Sequence, residues 1–488
     1  MRPDPEACWR AFTSRDRRFD GRFFAAVRTT GIYCRPGCPA RLPARQNVTF
    51  YSTAAAAESA GFRPCRRCRP DSAPGSPAWL GAPALVGRAL RLIEAGSLGA
   101  GGEGESRGVE VLAERLGITG RRLRQLFEEH VGASPLKVAH THRSHLARRL
   151  LEQTSLPLEQ VALAAGYSGV RRMHAALSAT FRCAPRELRC SRKQAAASGL
   201  RLWLPARLPF DPGPTLAFLA LRALPGVEFA SADTYRRTYA LDGAAGVLEA
   251  RLLPTGVELT LSSASPRALV PVAARIQRVF DLDADVQAIA AHLRRDPWLR
   301  ALVPRAGVRI PGAWDPFELV VRALLGQQVT VTAARTLASR LVERCGEELP
   351  PGLASEGLRR VFPTPQRLAI ADLGELGITR ARAQAIRAVA SAVASGKMDL
   401  AALHSLDKTV AMLKDLPGVG EWTAQYVSLR ALGEPDAFPA GDLGLRRALS
   451  RDGLMPVERE VQKRSERWRP WRAYAAIALW SGSSSVSR

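Results

Sequence analysis

Four cysteines in two close pairs set the organisation of the N-terminal region. Three residues separate Cys34 from Cys38, two separate Cys65 from Cys68, and 26 lie between the pairs. Thiol pairs of this spacing converge on one ion as a closed, tetrahedral, four-thiolate zinc site. Four thiolates leave such a site doubly negative overall, so its sulfurs stay deprotonated and nucleophilic at neutral pH. A site of this kind serves either as a staple for a small domain or as a reactive centre. Spacing alone does not separate the two. The N-terminus lacks the apolar run of a signal peptide, and nowhere do about 18 uncharged apolar residues follow one another. The chain is therefore expected in the cytoplasm with no membrane partner, where clustered cysteines are metal ligands rather than disulfides.

A chain of 488 residues with 46% hydrophobic side chains is too long for one core and folds readily, so three or four domains are expected. Two compositional breaks divide it: residues 72–83 (SAPGSPAWLGAP) and, more weakly, 193–200. Both read as linkers. A Gly-rich run at 99–108 reads as a surface loop inside a helical region. The formal net charge is +25, and it is uneven. Residues 1–71 hold 14 basic and 6 acidic side chains, and residues 72–193 hold 18 and 10. Arginine used for solubility would raise the charge too, but a dense basic segment fits a polyanion, because Lys and Arg displace counterions from a phosphate backbone.

The strings FAAVRTTGIYCRPGC, PARQNVTFY and GFRPCRRCRPD resemble the N-terminal domain of the Ada family of adaptive-response proteins over residues 5–71. The resemblance implies that Cys34 accepts a methyl group from a DNA methylphosphotriester, with Cys38, Cys65 and Cys68 completing the zinc ligands. A soft, unprotonated nucleophile is what displacement at a methyl carbon requires. By the same resemblance Thr30, Arg41, Arg63 and Arg66 face phosphate, although each also suits a solvated surface.

Between the two breaks lie two helix-turn-helix patterns. In the first, Val109–Leu116 has helical spacing, Gly117 makes the turn, and Thr119 caps a helix reaching about Glu129. In the second, Leu158–Ala165 precedes Gly166, Ser168 is the expected cap, and a helix runs through Phe181. Together they resemble the AraC-type DNA-binding module, best in ALAAGYSGVRRMHAALSATFRCAPRELR. The resemblance implies that Arg121, Arg122 and Arg124 face DNA from one recognition helix, and Arg171 and Arg172 from the other. The module usually carries aromatic residues where Arg172, Met173 and His174 stand. His140, His142 and His145 read as an ordinary helix surface rather than as metal ligands.

Beyond residue 200 the segments 234–241, 246–253 and 257–263 alternate as short antiparallel strands, and from about Asp315 the pattern is almost wholly helical. DLPGVGEWTAQYVSLRALG (415–433) is a helix-hairpin-helix signature. Its Pro417, Gly418 and Gly420 make a tight turn whose backbone N–H groups suit a phosphate. A hairpin alone fits many DNA-binding proteins, but Asp442 follows some 20 residues later, just before a new helix. The combination resembles the helix-hairpin-helix, Gly/Pro-rich, aspartate superfamily of base-excision glycosylases, nearest to the inducible 3-methyladenine type over residues 202–482. This implies that Asp442 stabilises positive charge on the deoxyribose. Phe218, Trp422, Tyr426 and Trp480 would line a pocket for a flipped cationic base. Trp422 stands where bifunctional members carry a Schiff-base lysine, so hydrolysis without lyase chemistry is expected. Cys345 is the one cysteine after residue 190, which leaves no iron–sulfur cluster. The wedge that fills the vacated gap falls on Gln328, where that glycosylase type has leucine.

The expected fold class is multidomain α+β. Residues 1–71 form a small four-cysteine zinc domain and 84–192 an all-α double helix-turn-helix domain. Residues 201–310 form an α+β domain, and 311–488 a mostly helical helix-hairpin-helix glycosylase domain. The expected cofactor is one zinc ion, structural and catalytic. Expected partners are alkylated and promoter double-stranded DNA and RNA polymerase, the chain itself being monomeric. The expected function joins stoichiometric methyl transfer, which switches on transcriptional activation, to hydrolytic excision of alkylated bases. The rivals are a regulator whose glycosylase-like half is inert, and a glycosylase whose zinc domain is only a tether. No PCHR-type motif appears, so repair of O-6-alkylguanine is not expected.

Overall fold

The computed structural model describes residues 4–16, 19–68, 70, 84–94, 96, 98, 104–189, 200–241, 243–262, 268–304, 306–350, 352–355, 357–400, 406–450 and 454–485. The linker read at 72–83 and most of that at 193–200 lie outside them. The chain forms two compact units. One comprises Met1–Leu208 with Leu241–Ala244 and Thr255–Ala274, and the other the remainder. The fold is multidomain α+β, with a small four-cysteine domain, an all-helical domain after it, and a sheet followed by a mostly helical C-terminal part.

In the first unit, a helix Pro5–Thr13 precedes a four-stranded sheet in the order Val48–Tyr51, Phe24–Val27, Ile32–Cys34, Arg63–Pro64. A short helix, Ala54–Ser59, is capped by Thr53. One buried cluster here consists of the four cysteines together with Cys8, Ala11, Phe12, Phe23, Ala25 and Val48, and a second of Phe24, Ala26, Tyr33 and Ala57. So few apolar residues make a thin core, and small domains of this size usually add a metal or crosslinks. Among the described residues, seven helices follow between Ala84 and Leu188. The longest, Pro135–Gln153, runs through the middle of the helical bundle, and its Ser134 cap followed by Pro135 fixes where it starts.

Several expectations are met here and some are corrected. Thr119 caps Gly120–His130 by accepting the Arg122 N–H, as its position before an amphipathic run dictates. The helix before it begins at Gly104, so residues 104–108 are helical rather than loop. Ser168 is not the second cap. Gly169 is, with extended backbone and no side-chain bond, before the helix Val170–Phe181. His145 is buried, not on a helix surface.

In the second unit, strands Glu228–Ala230 and Thr234–Leu241 pair antiparallel beside Ala244–Leu253. Helices dominate from Pro316 onward, and the cap-then-proline pairs Asp315–Pro316 and Thr364–Pro365 set two of their starts, as Asp296–Pro297 does for a helix before them. A buried ion network ties the strands to helix Pro316–Leu325. Arg237 bonds Glu228 at 3.1 Å and Glu318 at 2.9 Å, while Arg322 reaches the same two acids at 2.9 and 3.0 Å. Burial alone would raise the Glu228 carboxyl, but Arg322 and Arg237 outweigh it and bring it down to about 2. No described helix is long and apolar enough to cross a membrane.

Candidate functional sites

Sheet pairing brings the two cysteine pairs together. Strand Ile32–Cys34 runs parallel to Arg63–Pro64, with Ile32 opposite Arg63 and Tyr33 opposite Pro64. Cys34 and Cys65 therefore leave adjacent strands side by side. The loop from Cys34 to Cys38 is braced by Asp20, whose carboxylate accepts the Gly37 N–H at 2.9 Å and pairs with Arg35 at 3.3 Å. All four Sγ atoms lie within 4.8 Å of one another. The donor set fits a metal. Left to themselves the thiols hydrogen-bond one another, which pushes Cys34 up through Cys38, Cys65 and Cys68, and pulls Cys65 down through Cys34, Cys38 and Cys68. A dication satisfies all four sulfurs at once. Burial does not single out the acceptor, since Cys34 and Cys65 are each 6% exposed.

Of the expected phosphate-facing residues, Thr30, Arg41 and Arg66 are exposed and Arg63 is half-buried. Arg66 also reaches the Cys183 thiol beyond the second helix-turn-helix. A larger seam joins the cysteine domain to the long helix, centred on the carboxylate of Glu58. It accepts hydrogen bonds from Tyr33 Oη at 2.8 Å and Thr141 Oγ1 at 2.6 Å, and lies 2.7 Å from His145 Nε2. Burial would raise this acid, but His145, Thr141 and Tyr33 together bring it below its ordinary value. Thr53 Oγ1 adds a bond to the Val131 carbonyl at 3.0 Å.

Both recognition helices present arginine at their starts. Arg121 and Arg122 are exposed on one, Arg171 and Arg172 on the other. Arg124, the third expected on the first helix, has its guanidinium 2.9 Å from Glu110 in an exposed ion pair. The same carboxylate accepts the Gly120 N–H at 3.1 Å and so braces the turn.

In the second unit, Asp442 caps helix Leu443–Ala448 by accepting the Leu445 N–H on Oδ1 at 2.9 Å. Two indoles close on the same carboxylate. Trp480 Nε1 donates to Oδ1 and Trp422 Nε1 to Oδ2, each at 2.8 Å. Trp422 stacks on Tyr426 at 5.2 Å with an 8° tilt, and Trp480 meets the Tyr426 edge at 6.2 Å. Trp422, Tyr426 and Trp480 of the expected aromatic set thus lie together, and the two tryptophans hold the acid. Phe218 is half-buried between the guanidiniums of Arg222 and Arg430, 3.6 and 4.7 Å from its centroid. Arg430 also donates to Tyr426 Oη at 2.8 Å. Burial pushes Tyr426 up, yet Arg430 and Arg222 outweigh it and hold the phenol below its ordinary value. At the hairpin, Gly418 takes a φ of +77°, and an added Cβ would lie 2.8 Å from that of Ala385, which restricts the position to glycine. Gly420 caps the helix Glu421–Arg430. Gln328 is exposed with a φ of +58°.

Sequence reasoning missed Arg222, Arg430, Glu58 and Gln327. Arg430 carried a signal, standing four residues after Tyr426 on the same helix and hence on the same face, and Arg222 follows Phe218 at the same spacing just beyond the end of helix Gly213–Ala220. Glu58 carried none, since its partner His145 lies 87 residues away.

Four families match successive stretches of the chain: the metal binding domain of Ada at 7–71, a helix-turn-helix domain at 112–191, the AlkA N-terminal domain at 201–315, and the HhH-GPD superfamily base excision DNA repair protein at 321–472. DNA-3-methyladenine glycosylase 2 of Escherichia coli is 35% identical over 57% of this chain and 95% of its own length. The E. coli bifunctional transcriptional activator/DNA repair enzyme Ada is 38% identical over 30% of this chain and 37% of its own. Among solved structures, the 3-methyladenine DNA-glycosylase from Archaeoglobus fulgidus shares the fold with a TM-score of 0.50 at 24% identity, covering 59% of this chain and 99% of that one. A probable bifunctional transcriptional activator/DNA repair enzyme AlkA of Mycobacterium tuberculosis is 42% identical over 99% of this chain and 97% of its own length. With all four matched stretches in one chain and that end-to-end similarity, the protein belongs to the family of AlkA-type bifunctional transcriptional activator/DNA repair proteins, DNA-binding chains that join an Ada metal-binding domain and a helix-turn-helix to an HhH-GPD glycosylase domain.

Proposed function

We propose that this chain answers DNA alkylation in two ways. Its N-terminal part takes the methyl group of a DNA methylphosphotriester onto Cys34, once per molecule, and thereby becomes a transcriptional activator that meets RNA polymerase as a monomer. Its C-terminal part releases alkylated bases of the 3-methyladenine type by hydrolysis, without lyase chemistry. The domains divide at 72–83, 193–200 and about 310.

In the first reaction the Cys34 thiolate attacks the methyl carbon. The C–S bond forms as the O–CH3 bond breaks, and the electron pair of the broken bond returns to the phosphate oxygen, leaving an ordinary anionic diester. One bound zinc ion would keep the four sulfurs deprotonated and lower their joint charge beside the DNA. The sulfur that becomes a thioether loses one negative charge, so affinity for a polyanion rises with no new contact. Thr30, Arg41, Arg63 and Arg66 are assigned to the phosphate of the lesion.

In the second reaction, alkylation at N3 or N7 has made the base cationic. Scission of its N-glycosidic bond sends the electron pair to the base and leaves positive charge on the deoxyribose. The Asp442 carboxylate stabilises that charge, and water adds to C1′ and gives up its proton to the carboxylate or to solvent. Oδ1 is already occupied by the Leu445 N–H and the Trp480 indole, whereas Oδ2 has one donor. Oδ2 is thus the oxygen that turns to the sugar. Trp422 supplies no amine for a Schiff base.

The observation that carries the reading is the double indole grip on Asp442. A helix cap needs one acceptor, and nothing about capping calls for two further donors. Asp442→Asn keeps the cap and removes the charge, so base release from methylated duplex should vanish while DNA binding persists. A wild-type protein that releases no base would end the glycosylase reading and leave a regulator with an inert half. For the sensor, peptide mass spectrometry over residues 29–41 after incubation with methylphosphotriester DNA should find one methyl, on Cys34. An unmodified peptide would reduce the zinc domain to a tether.

A further inference from the structure

The connection between helices Pro316–Leu325 and Val331–Cys345 is held more tightly than an exposed loop requires. Gln328 sits at its tip in the left-handed region, which a residue with a side chain occupies only when its surroundings impose it. Val329 and Val331 beside it are 37% and 45% exposed, so the tip offers apolar as well as polar surface. The residue before the tip supplies the constraint. Both amide hydrogens of Gln327 are used, one on the Gly418 carbonyl at 2.9 Å and one on Thr423 Oγ1 at 3.1 Å. Its own backbone carbonyl accepts from Arg382 Nη2 at 2.7 Å. Thr423 is buried, and Gly418 packs against Ala385 too closely to carry a Cβ, so both anchors sit in packed surroundings.

We propose that Gln327 is a positioning residue for base extrusion, locking the wedge tip at Gln328 to the hairpin that grips the DNA backbone. The inference rests on the glycosylase reading above. A hairpin that holds a phosphate and a wedge that fills the vacated stack must keep a fixed separation, and the Gln327 amide is the direct tie between them. With the amide removed, Gln328 relaxes to negative φ and its side chain leaves the position from which it enters the helix. The cost then falls on flipping a paired nucleotide, not on breaking the glycosidic bond.

The test uses the full chain, with one 7-methylguanine placed either in a fully paired duplex or in a single-nucleotide bulge, where no base pair needs to be opened. Gln327→Ala should slow excision from the paired duplex about tenfold, equivalent to ~1.4 kcal/mol, and from the bulge less than twofold. Gln327→Glu keeps the length and loses the donors, so it should show the same selective loss. Thr423→Val removes a single acceptor at constant shape, keeps the measurement available if Gln327→Ala folds poorly, and should show a smaller loss of the same kind. In the double variant with Gln328→Ala the two losses should not add, because one residue acts through the other. Equal slowing on both substrates would mean a merely structural role and overturn the proposal, as would full additivity. Failure of the wild type on both substrates would instead refute the glycosylase reading.

Discussion

Replacing Trp480 by phenylalanine removes one N–H donor from the Asp442 carboxylate and keeps an aromatic ring against the edge of Tyr426. The loss can be bounded from the geometry. Oδ1 accepts from Trp480 at 2.8 Å and from the Leu445 N–H at 2.9 Å, so the carboxylate keeps its helix-cap anchor when the indole is gone. A hydrogen bond to a charged group contributes about 1.5–3 kcal/mol. If the indole serves to aim the carboxylate at the reacting sugar, that amount appears in the chemical step, as a fall of about tenfold to a hundredfold in kcat. Single-turnover excision of 7-methylguanine with protein in excess isolates this step. Equilibrium binding to a duplex containing an uncleavable abasic analogue should stay within twofold of the wild type. Trp422→Phe should behave alike through Oδ2, with an added loss of binding where its stacked ring alters. Rates for Trp480→Phe within twofold of wild type, with Asp442→Asn inactive, would show that the indoles do not orient the acid, and a loss confined to binding would make Trp480 a wall of the pocket alone.

Three further outcomes follow from the same coordinates. Removing the metal with a chelator should unfold the cysteine domain, since all four ligands belong to its core, and near-ultraviolet circular dichroism should report the loss. Glu228→Gln leaves Arg237 and Arg322 with Glu318 as their remaining acid, and should cost about 3–5 kcal/mol at neutral pH. Because the folded Glu228 carboxyl lies near 2, below its unfolded value, its contribution is complete above about pH 4.5 and fades as pH falls toward 2. Thermal melts across that range should slope more steeply for the wild type than for the variant. Arg171→Ala and Arg172→Ala should each lower the slope of log affinity against log salt by ~0.9, the value of one phosphate contact, in titrations of promoter DNA.

What could be read from the chain depended on how far apart the partners lie. The cysteine spacing was legible because ligation needs short loops, and Asp442 because the hairpin and the capped helix follow one another directly. Thr119 declared itself as a cap through chemistry confined to four residues. The second cap did not, because Ser168 and Gly169 both suit an extended residue and tertiary packing chose the glycine. Arg124 reads as a DNA-facing residue, and only the fold shows Glu110 beside it. His145 looked like a surface residue because the acid that buries it belongs to another domain. Gln327 and Gln328 are chemically identical neighbours. Their separation into tether and tip comes from backbone direction, which composition does not encode.

The shared carboxylate of Glu58 bears on how such proteins recombine. The metal-binding and helix-turn-helix domains match separate families, at 7–71 and 112–191, as though either could be exchanged at will. Yet a transplanted metal-binding domain bringing alanine at this position would strand the Thr141 hydroxyl and the His145 ring beside a void. A transplanted helix-turn-helix domain lacking Thr141 and His145 would leave the acid with Tyr33 alone of these three partners. The heritable module is the pair, and a chimera cut between its halves inherits a broken joint.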